Sequence, residues 1–92
     1  MNDTLIDSAV STQLIVNTLI TCKGRSNAYK VFDRLAQEDV MVAFYDRRSL
    51  LTDASEDKVL AILAELKLSA SVAAHETPMD WTPWLPGNPS PR

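Results

Sequence analysis

The stretch of sequence that decides the fold spans residues 13–38 and reads QLIVNTLITCKGRSNAYKVFDRLAQE. Its first part, from Gln13 to Thr21, is rich in β-branched residues, which favour a buried strand. The strand pattern breaks at Gly24, and Ser26 is of a residue type that caps helices well. Beyond Ser26, apolar residues recur at helical spacing between polar ones: Ala28, Val31, Phe32, Leu35 and Ala36. The stretch therefore predicts a strand followed by a helix over residues 26–38.

Two further strands and a second helix follow in the rest of the chain. The apolar run from Val40 to Tyr45, closed by the charged residues 46–48, is typical of a central strand covered on both faces. Asp53 or Ser55 can cap a helix over residues 54–67, whose apolar residues form a wide stripe. Residues 68–74 predict a third, weaker strand. We expect the core to contain Val31, Phe32, Leu35, Val42, Phe44, Leu60 and Leu63.

The order strand, helix, strand, helix, strand predicts an α/β fold in which helices pack on a sheet with right-handed crossovers between parallel neighbours. A chain of 92 residues has room for one such domain. In the N-terminal segment, residues 1–12, a short helix is expected because four apolar residues would share one face: Leu5, Ile6, Ala9 and Val10. All five prolines fall in the last fifteen residues, and residues 87–92 are expected to form a flexible tail.

The composition describes an acidic chain with few residues for redox or metal chemistry. Twelve acidic residues against nine basic ones give a net charge of −3 and a pI near 4.9, which disfavours a general nucleic-acid coat. Cys22 is the only cysteine, so no internal disulfide can form, and His75 is the only histidine, so no zinc site of the usual spacing is predicted. We expect no metal, no signal peptide and no membrane span, and a cytoplasmic protein.

Positive charge is concentrated at the start of the first helix, where only Asp33 opposes four cations: Lys23, Arg25, Lys30 and Arg34. This cluster is either a solvated helix face or a contact patch for an acidic protein surface or a nucleic-acid backbone. Arg47 and Arg48 either add to this patch or simply end a strand.

Three other side chains have two interpretations each. Cys22 lies near a helix start beside Lys23 and Arg25, which would lower its pKa and favour the reactive thiolate, but a lone cysteine is also commonly inert and half-buried. Trp81 and Trp84 either cover the sheet edge or bind a ligand. His75 is expected to be an ordinary surface residue.

Residues 22–34, CKGRSNAYKVFDR, resemble the active-site strand-to-helix junction of glutaredoxins, especially the small glutaredoxin-like proteins that reduce ribonucleotide reductase. Cys22 falls on the first cysteine of that family. The similarity continues with Asp46 after the apolar run, with SVAA at 71–74 and with WTPWLP at 81–86, so that it covers about residues 13–86. The resemblance implies a thioredoxin-like fold, a catalytic Cys22 and glutathione as its cofactor.

The chain departs from that family at the positions that carry its chemistry. Arg25 stands where a dithiol enzyme has its resolving cysteine, and Ser71 stands where the family has a cis-proline that shapes the substrate groove. The paired glycines that hold glutathione are missing, and no final helix is predicted after Pro86. The departures favour a protein that keeps the fold without the activity and uses no cofactor.

Two functions follow from this pattern. The first is a non-catalytic binding protein that docks on a protein or ribonucleoprotein complex through Lys23, Arg25, Lys30 and Arg34, with Trp81 and Trp84 as further contact residues. In size and character it is similar to small phage-encoded inhibitors such as anti-CRISPR proteins, which act in the host cytoplasm, and a subunit of a larger assembly fits equally well. The alternative is a monothiol glutaredoxin-like thiol–disulfide oxidoreductase that uses Cys22 and glutathione.

Overall fold

The computed structural model describes residues 14–84. Its elements are, in chain order, β1 (Leu14–Cys22), α1 (Arg25–Ala36), β2 (Val42–Asp46), β3 (Ser49–Thr52), α2 (Glu56–Leu66) and β4 (Ala70–Pro78). The predicted N-terminal helix and the predicted flexible tail lie outside the described residues. Neither α1 nor α2 is long and apolar enough to cross a membrane.

The four strands form one sheet in the order β2-β3-β1-β4, and every neighbouring pair is antiparallel. β1 is central and pairs along its whole length with β4, from Leu14 opposite Pro78 to Cys22 opposite Ala70. Its C-terminal half pairs on the other side with β3. This succession of elements and strands is the ferredoxin-like, or split βαβ, arrangement.

A mixed α/β fold with two helices on a sheet is confirmed, but the predicted order of elements is wrong at residues 46–52. The carboxylate of Asp46 accepts a hydrogen bond from the backbone N–H of Arg48 at 3.0 Å, which closes a turn, and the chain returns as β3. β3 has only four residues, too few for a periodic signal. The added strand makes the sheet antiparallel, so the expected thioredoxin-like order with parallel neighbours is not the observed order.

The helices lie where the apolar periodicity places them; the N-cap of α1 is not the expected one, and of the two candidate caps of α2 it is Ser55 that caps the helix. α1 begins at Arg25 after Gly24, which makes no side-chain cap, and Ser26 lies inside the helix. α2 is capped by Ser55, whose hydroxyl accepts the N–H of Lys58 at 3.1 Å. Asp53, the other candidate cap, instead accepts the N–H of Met41 at 2.8 Å.

The core lies between the helices and one face of the sheet. Of the predicted core residues, Val31, Leu35, Phe44 and Leu63 are buried, and Phe32 and Val42 pack against them half-buried. The prediction that Leu60 is a core residue is wrong, because its side chain is 51% exposed. The buried side of α2 is formed by Val59, Ile62 and Leu63, and Leu60 is rotated about 100° away from Val59 around the helix axis.

Residues 79–84 cross the sheet from one edge to the other. β4 is one edge, and the backbone N–H of Trp84 donates to the carbonyl of Phe44 on β2, the opposite edge, at 2.9 Å. Phe44 faces α1, with its ring 4.9 Å from that of Phe32, whereas the ring of Trp81 stacks on Tyr45, the next residue along β2. The crossing segment therefore runs over the face opposite the helices.

Two threonines on the sheet allow a test of how much a hydrogen bond to a buried hydroxyl contributes to stability. The Thr18 hydroxyl donates to the Ala54 carbonyl at 2.7 Å, whereas the hydroxyl of Thr77, equally buried, has no hydrogen-bond partner among residues 14–84. Valine keeps the shape of both side chains. We expect Thr18→Val to lower the free energy of unfolding by about 1–3 kcal/mol, and Thr77→Val to leave it unchanged or raise it. Urea denaturation followed by circular dichroism measures both, and equal losses would contradict the pairing argument.

Candidate functional site

One end of the sheet brings together three segments that are distant in sequence. The end of β1 lies beside the first residues of β3 and β4, through the pairs Thr21 with Ser49 and Cys22 with Ala70. The backbone N–H of Cys22 also donates to the carbonyl of Arg48 at 2.9 Å. α1 begins, and α2 ends, within a few residues of these strand ends. The N-terminus of α1 and the C-terminus of α2 therefore lie at this end of the molecule.

This end carries a cluster of cations, and we refer to it as the basic end. It is formed by residues 22–25, 46–49 and 67–71, which contain one acid, Asp46, and five exposed cations: Lys23, Arg25, Arg47, Arg48 and Lys67. Lys67 sits at the C-terminus of α2 in the left-handed conformation, with φ at 59°. The net charge of −3 is therefore distributed very unevenly over the chain.

A cleft of about 420 Å³ opens in the basic end between the β2–β3 turn and the start of β4. Lys23 and Arg48 contribute its cations, and its other polar side chains are the hydroxyls of Thr21, Ser69 and Ser71. Ammonium, guanidinium and hydroxyl groups all donate hydrogen bonds, so the chemistry of the cleft suits a carboxylate or phosphate group.

The opposite end of the molecule is acidic. Residues 37–41, 53–58 and 76–80 contain one cation, Lys58, and seven acids: Glu38, Asp39, Asp53, Glu56, Asp57, Glu76 and Asp80. The nine residues of β1 separate the two ends by about 30 Å. The fold therefore gives an acidic chain one basic pole.

Only part of the predicted cation patch lies at this pole. Lys23 and Arg25 are at the basic end, and Lys30 is exposed on α1, about 7.5 Å further along the helix axis. Arg47 and Arg48, which the sequence left open, join the patch through the β2–β3 turn. Lys67 was missed, since nothing in the sequence pairs the end of α2 with residues 40 positions earlier.

Arg34, predicted as a contact residue, is held within the molecule by ion pairs. Its guanidinium forms ion pairs with Glu38, two residues beyond the end of α1, and with Glu65 of α2, where Nε lies 2.8 Å from a carboxylate oxygen. Lys58 of α2 also pairs with Glu38, at 2.9 Å. The hydrogen bonds from Arg34 lower the pKa of the Glu65 and Glu38 carboxyls, and the hydrogen bonds from these carboxyls raise the pKa of Arg34, most through Glu65. Arg34 therefore ties α1 to α2.

Cys22 does not have the exposed, positively charged surroundings of a reactive thiol. Its side chain is 2% exposed and belongs to the core between the sheet and the helices. Burial raises the pKa of the thiol, the opposite of the direction expected from its neighbours in sequence. Lys23 and Arg25 point into solvent while Cys22 points into the core, so their charges do not stabilise a thiolate.

The two tryptophans belong to the crossing segment and pack it against β2. Trp84 is 4% exposed, and its ring packs edge-on against Phe44 at 5.8 Å, so it covers the β2 edge. Trp81 is half-buried and stacks on Tyr45, whose ring also contacts His75 at 5.2 Å. His75 is thus half-buried beside Tyr45 on the sheet face opposite the helices. Within residues 14–84, no three histidine, cysteine, aspartate or glutamate side chains converge in a way that could hold a metal.

Comparison of the chain with protein-family models finds no matching family. No curated protein and no solved structure matches it either.

The burial of Cys22 predicts slow alkylation of the native protein. A raised pKa leaves less thiolate than free glutathione has at pH 8, and the side chain is inaccessible. We expect iodoacetamide to modify Cys22 at least about tenfold more slowly than glutathione, and at the glutathione rate in urea. Mass spectrometry of timed samples gives both rates. Native labelling as fast as that of glutathione would show that the thiol is exposed and ionised.

The Arg34 ion pairs predict an acid-dependent loss of stability. Glu38 and Glu65 have lower pKa values in the folded chain than in the unfolded one, so their contribution is present above the unfolded pKa of about 4.3 and is lost as the pH falls through the folded values. In Arg34→Gln the thermal midpoint should fall less between pH 6 and pH 3 than in the wild type. Identical pH profiles would contradict the assignment.

Proposed function

We propose that this chain is a non-catalytic binding protein that docks, through its basic end, on an acidic surface of a protein or ribonucleoprotein complex. The observation that carries the proposal is the segregation of charge between the two ends. Five exposed cations share the basic end with one acid, in a chain whose net charge is −3.

The charge distribution also gives the partner an orientation. An anionic surface is attracted to the basic end and repelled by the acidic end, so the chain docks end-on. Arg25, Arg47 and Arg48 suit this contact because each planar guanidinium can hold a carboxylate or a phosphate by two hydrogen bonds. The hydroxyl-lined cleft between Lys23 and Arg48 can receive one such group.

An acidic protein surface fits the structure better as the binding partner than a nucleic acid does. RNA-binding domains with a four-stranded sheet stack bases on aromatic side chains of the sheet face. In this chain the central strands β1 and β3 present Leu19 and Leu51 on the face opposite the helices, and Leu51 is fully buried there. The crossing segment covers Leu51 on that face, and the aromatic rings there pack against one another, with Tyr45 between His75 and Trp81, so they do not form the open platform of those domains.

The alternative, a glutaredoxin-like oxidoreductase that uses Cys22 and glutathione, has less support. The thiol is buried and its raised pKa favours the neutral form, which is not the nucleophile. Arg25, in the place of a resolving cysteine, is exposed at the basic end. A docking role needs neither group to react, and both an inhibitor of the anti-CRISPR type and a subunit of a larger assembly act by docking.

Charge removal at the basic end should weaken binding to an acidic probe. The triple variant Lys23→Gln, Arg48→Gln and Lys67→Gln is compared with wild type for binding a fluorescent glutamate homopeptide, followed by anisotropy. We expect the dissociation constant to rise at least about tenfold, and wild-type binding to weaken as NaCl is raised from about 25 to about 200 mM.

A matched control removes the same charge from the helices. The variant Lys30→Gln, Arg34→Gln and Lys58→Gln also loses two lysines and one arginine, and its affinity should change less than about threefold. Equal weakening by both triple variants would show that net charge, and not the basic end, governs binding. Tighter wild-type binding of a single-stranded oligonucleotide of the same charge would move the partner class to nucleic acid.

A further inference from the structure

An apolar groove of about 400 Å³ runs along the outer edge of β2, between that strand and α1. α1 contributes Tyr29 and Phe32 to its walls, β2 contributes Val42 and Phe44, and the crossing segment contributes Pro83 and Trp84. The rings pack tightly, with the centroid of Phe44 5.1 Å from that of Tyr29 and 4.9 Å from that of Phe32. The groove therefore has firm aromatic walls in a chain that binds elsewhere through charge.

The β2 edge has backbone groups that can pair with another chain. The Phe44 carbonyl points away from β3, because it accepts the N–H of Trp84. In an antiparallel strand the N–H and C=O of one residue point to the same side, and alternate residues share that side. The N–H of Phe44 and both backbone groups of Val42 therefore face outward, and no hydrogen bond joins these three groups to any of residues 14–84.

The charge in the groove selects the side chains of an occupant. Asp33 is the one charged residue among those that line it; it is exposed and makes no ion pair within the described part of the chain. The apolar walls suit one large apolar side chain, and Asp33 suits a lysine or arginine beside it. Alternate side chains of an extended peptide point the same way, so a cation two residues from the anchor would face the same side as the anchor.

We propose that the β2 edge groove binds an extended peptide of a partner protein by strand addition, with a large apolar side chain between α1 and β2 and a basic side chain against Asp33. The peptide pairs with both outward backbone groups of Val42 and with the N–H of Phe44, because the Phe44 carbonyl already accepts the N–H of Trp84. This site is separate from the basic end. It binds a basic segment of a partner, whereas the basic end binds an acidic surface.

The test uses the full chain and a fluorescent peptide of eight residues. The peptide consists of serine and threonine with one phenylalanine and, two residues later, one lysine; two control peptides carry glutamate for the lysine or serine for the phenylalanine. Anisotropy gives the affinities, and amide NMR spectra give the location. We expect both control peptides to bind at least about fivefold more weakly, and the largest shifts at residues 42–45 and at Trp84.

A pair of protein variants isolates the role of Asp33. Asp33→Asn should bind the lysine and glutamate peptides within about twofold of each other, whereas Asp39→Asn, which removes the same charge from an exposed loop, should keep the wild-type preference. The basic-end triple variant should bind the lysine peptide as wild type does. Failure of this proposal is thereby distinguished from failure of the proposed docking function.

Four outcomes would overturn the proposal. These are no binding at millimolar peptide, equal affinity of wild type for the lysine and glutamate peptides, shifts located away from β2 and α1, and a groove that is already occupied. Nuclear Overhauser contacts from residues 85–92 to Phe32 or Phe44 in the free protein would assign the groove to the chain's own C-terminal segment. Concentration-dependent dimerisation in the ultracentrifuge, with the same amides shifted, would assign it to a second copy.

Discussion

The pairing of β1 with strands on both of its sides is the constraint on which the rest of the structure depends. Its nine residues are matched along their whole length by β4, and the half nearest α1 is matched by β3 as well. From Thr18 to Thr21 β1 is paired on both sides, so its register fixes which residues of the two neighbours lie at this end of the sheet. The basic end is a direct result, because Lys23 follows the end of β1, Arg48 precedes β3 and Lys67 precedes β4.

The core and the charge distribution have separate causes in this fold. Burial of apolar side chains holds the helices on the sheet, with Ile20 and Leu50 of the sheet fully buried beneath Val31, Leu35 and Val59. The charges follow the direction in which each element runs. α1 runs away from the basic end, so Glu38 and Asp39, which follow it, lie at the acidic end. α2 begins there with Glu56 and Asp57, which also complement the helix dipole. Packing and chain direction together thus create the basic end.

The crossing segment decides which surfaces of the sheet stay open. By running from β4 to β2 it uses the face that four-stranded binding domains of this topology expose, and its last described residue pairs with the β2 edge. The same segment adds Pro83 and Trp84 to the groove beside α1. One stretch of chain therefore covers part of the sheet face and completes the apolar walls at the β2 edge.

The sequence by itself determined both helices, the strands β1 and β2 and the acidic character of the chain, because periodicity and composition are local properties. It did not show β3, whose four residues are too few for a pattern, and without β3 the resemblance pointed to a parallel order. The prediction that Leu60 is buried was wrong because the apolar stripe of α2 is wider than the face that the sheet covers.

Only the tertiary structure decided the fate of the candidate site residues. Cys22 and Lys23 are adjacent in sequence, yet strand alternation sends the thiol into the core and leaves the ammonium in solvent. Arg34 looked like a free cation until α2 brought Glu65 within 2.8 Å of it. Arg48 and Lys67 join Lys23 because antiparallel pairing places strand ends from distant parts of the chain side by side, and no local pattern encodes which distant ends will meet.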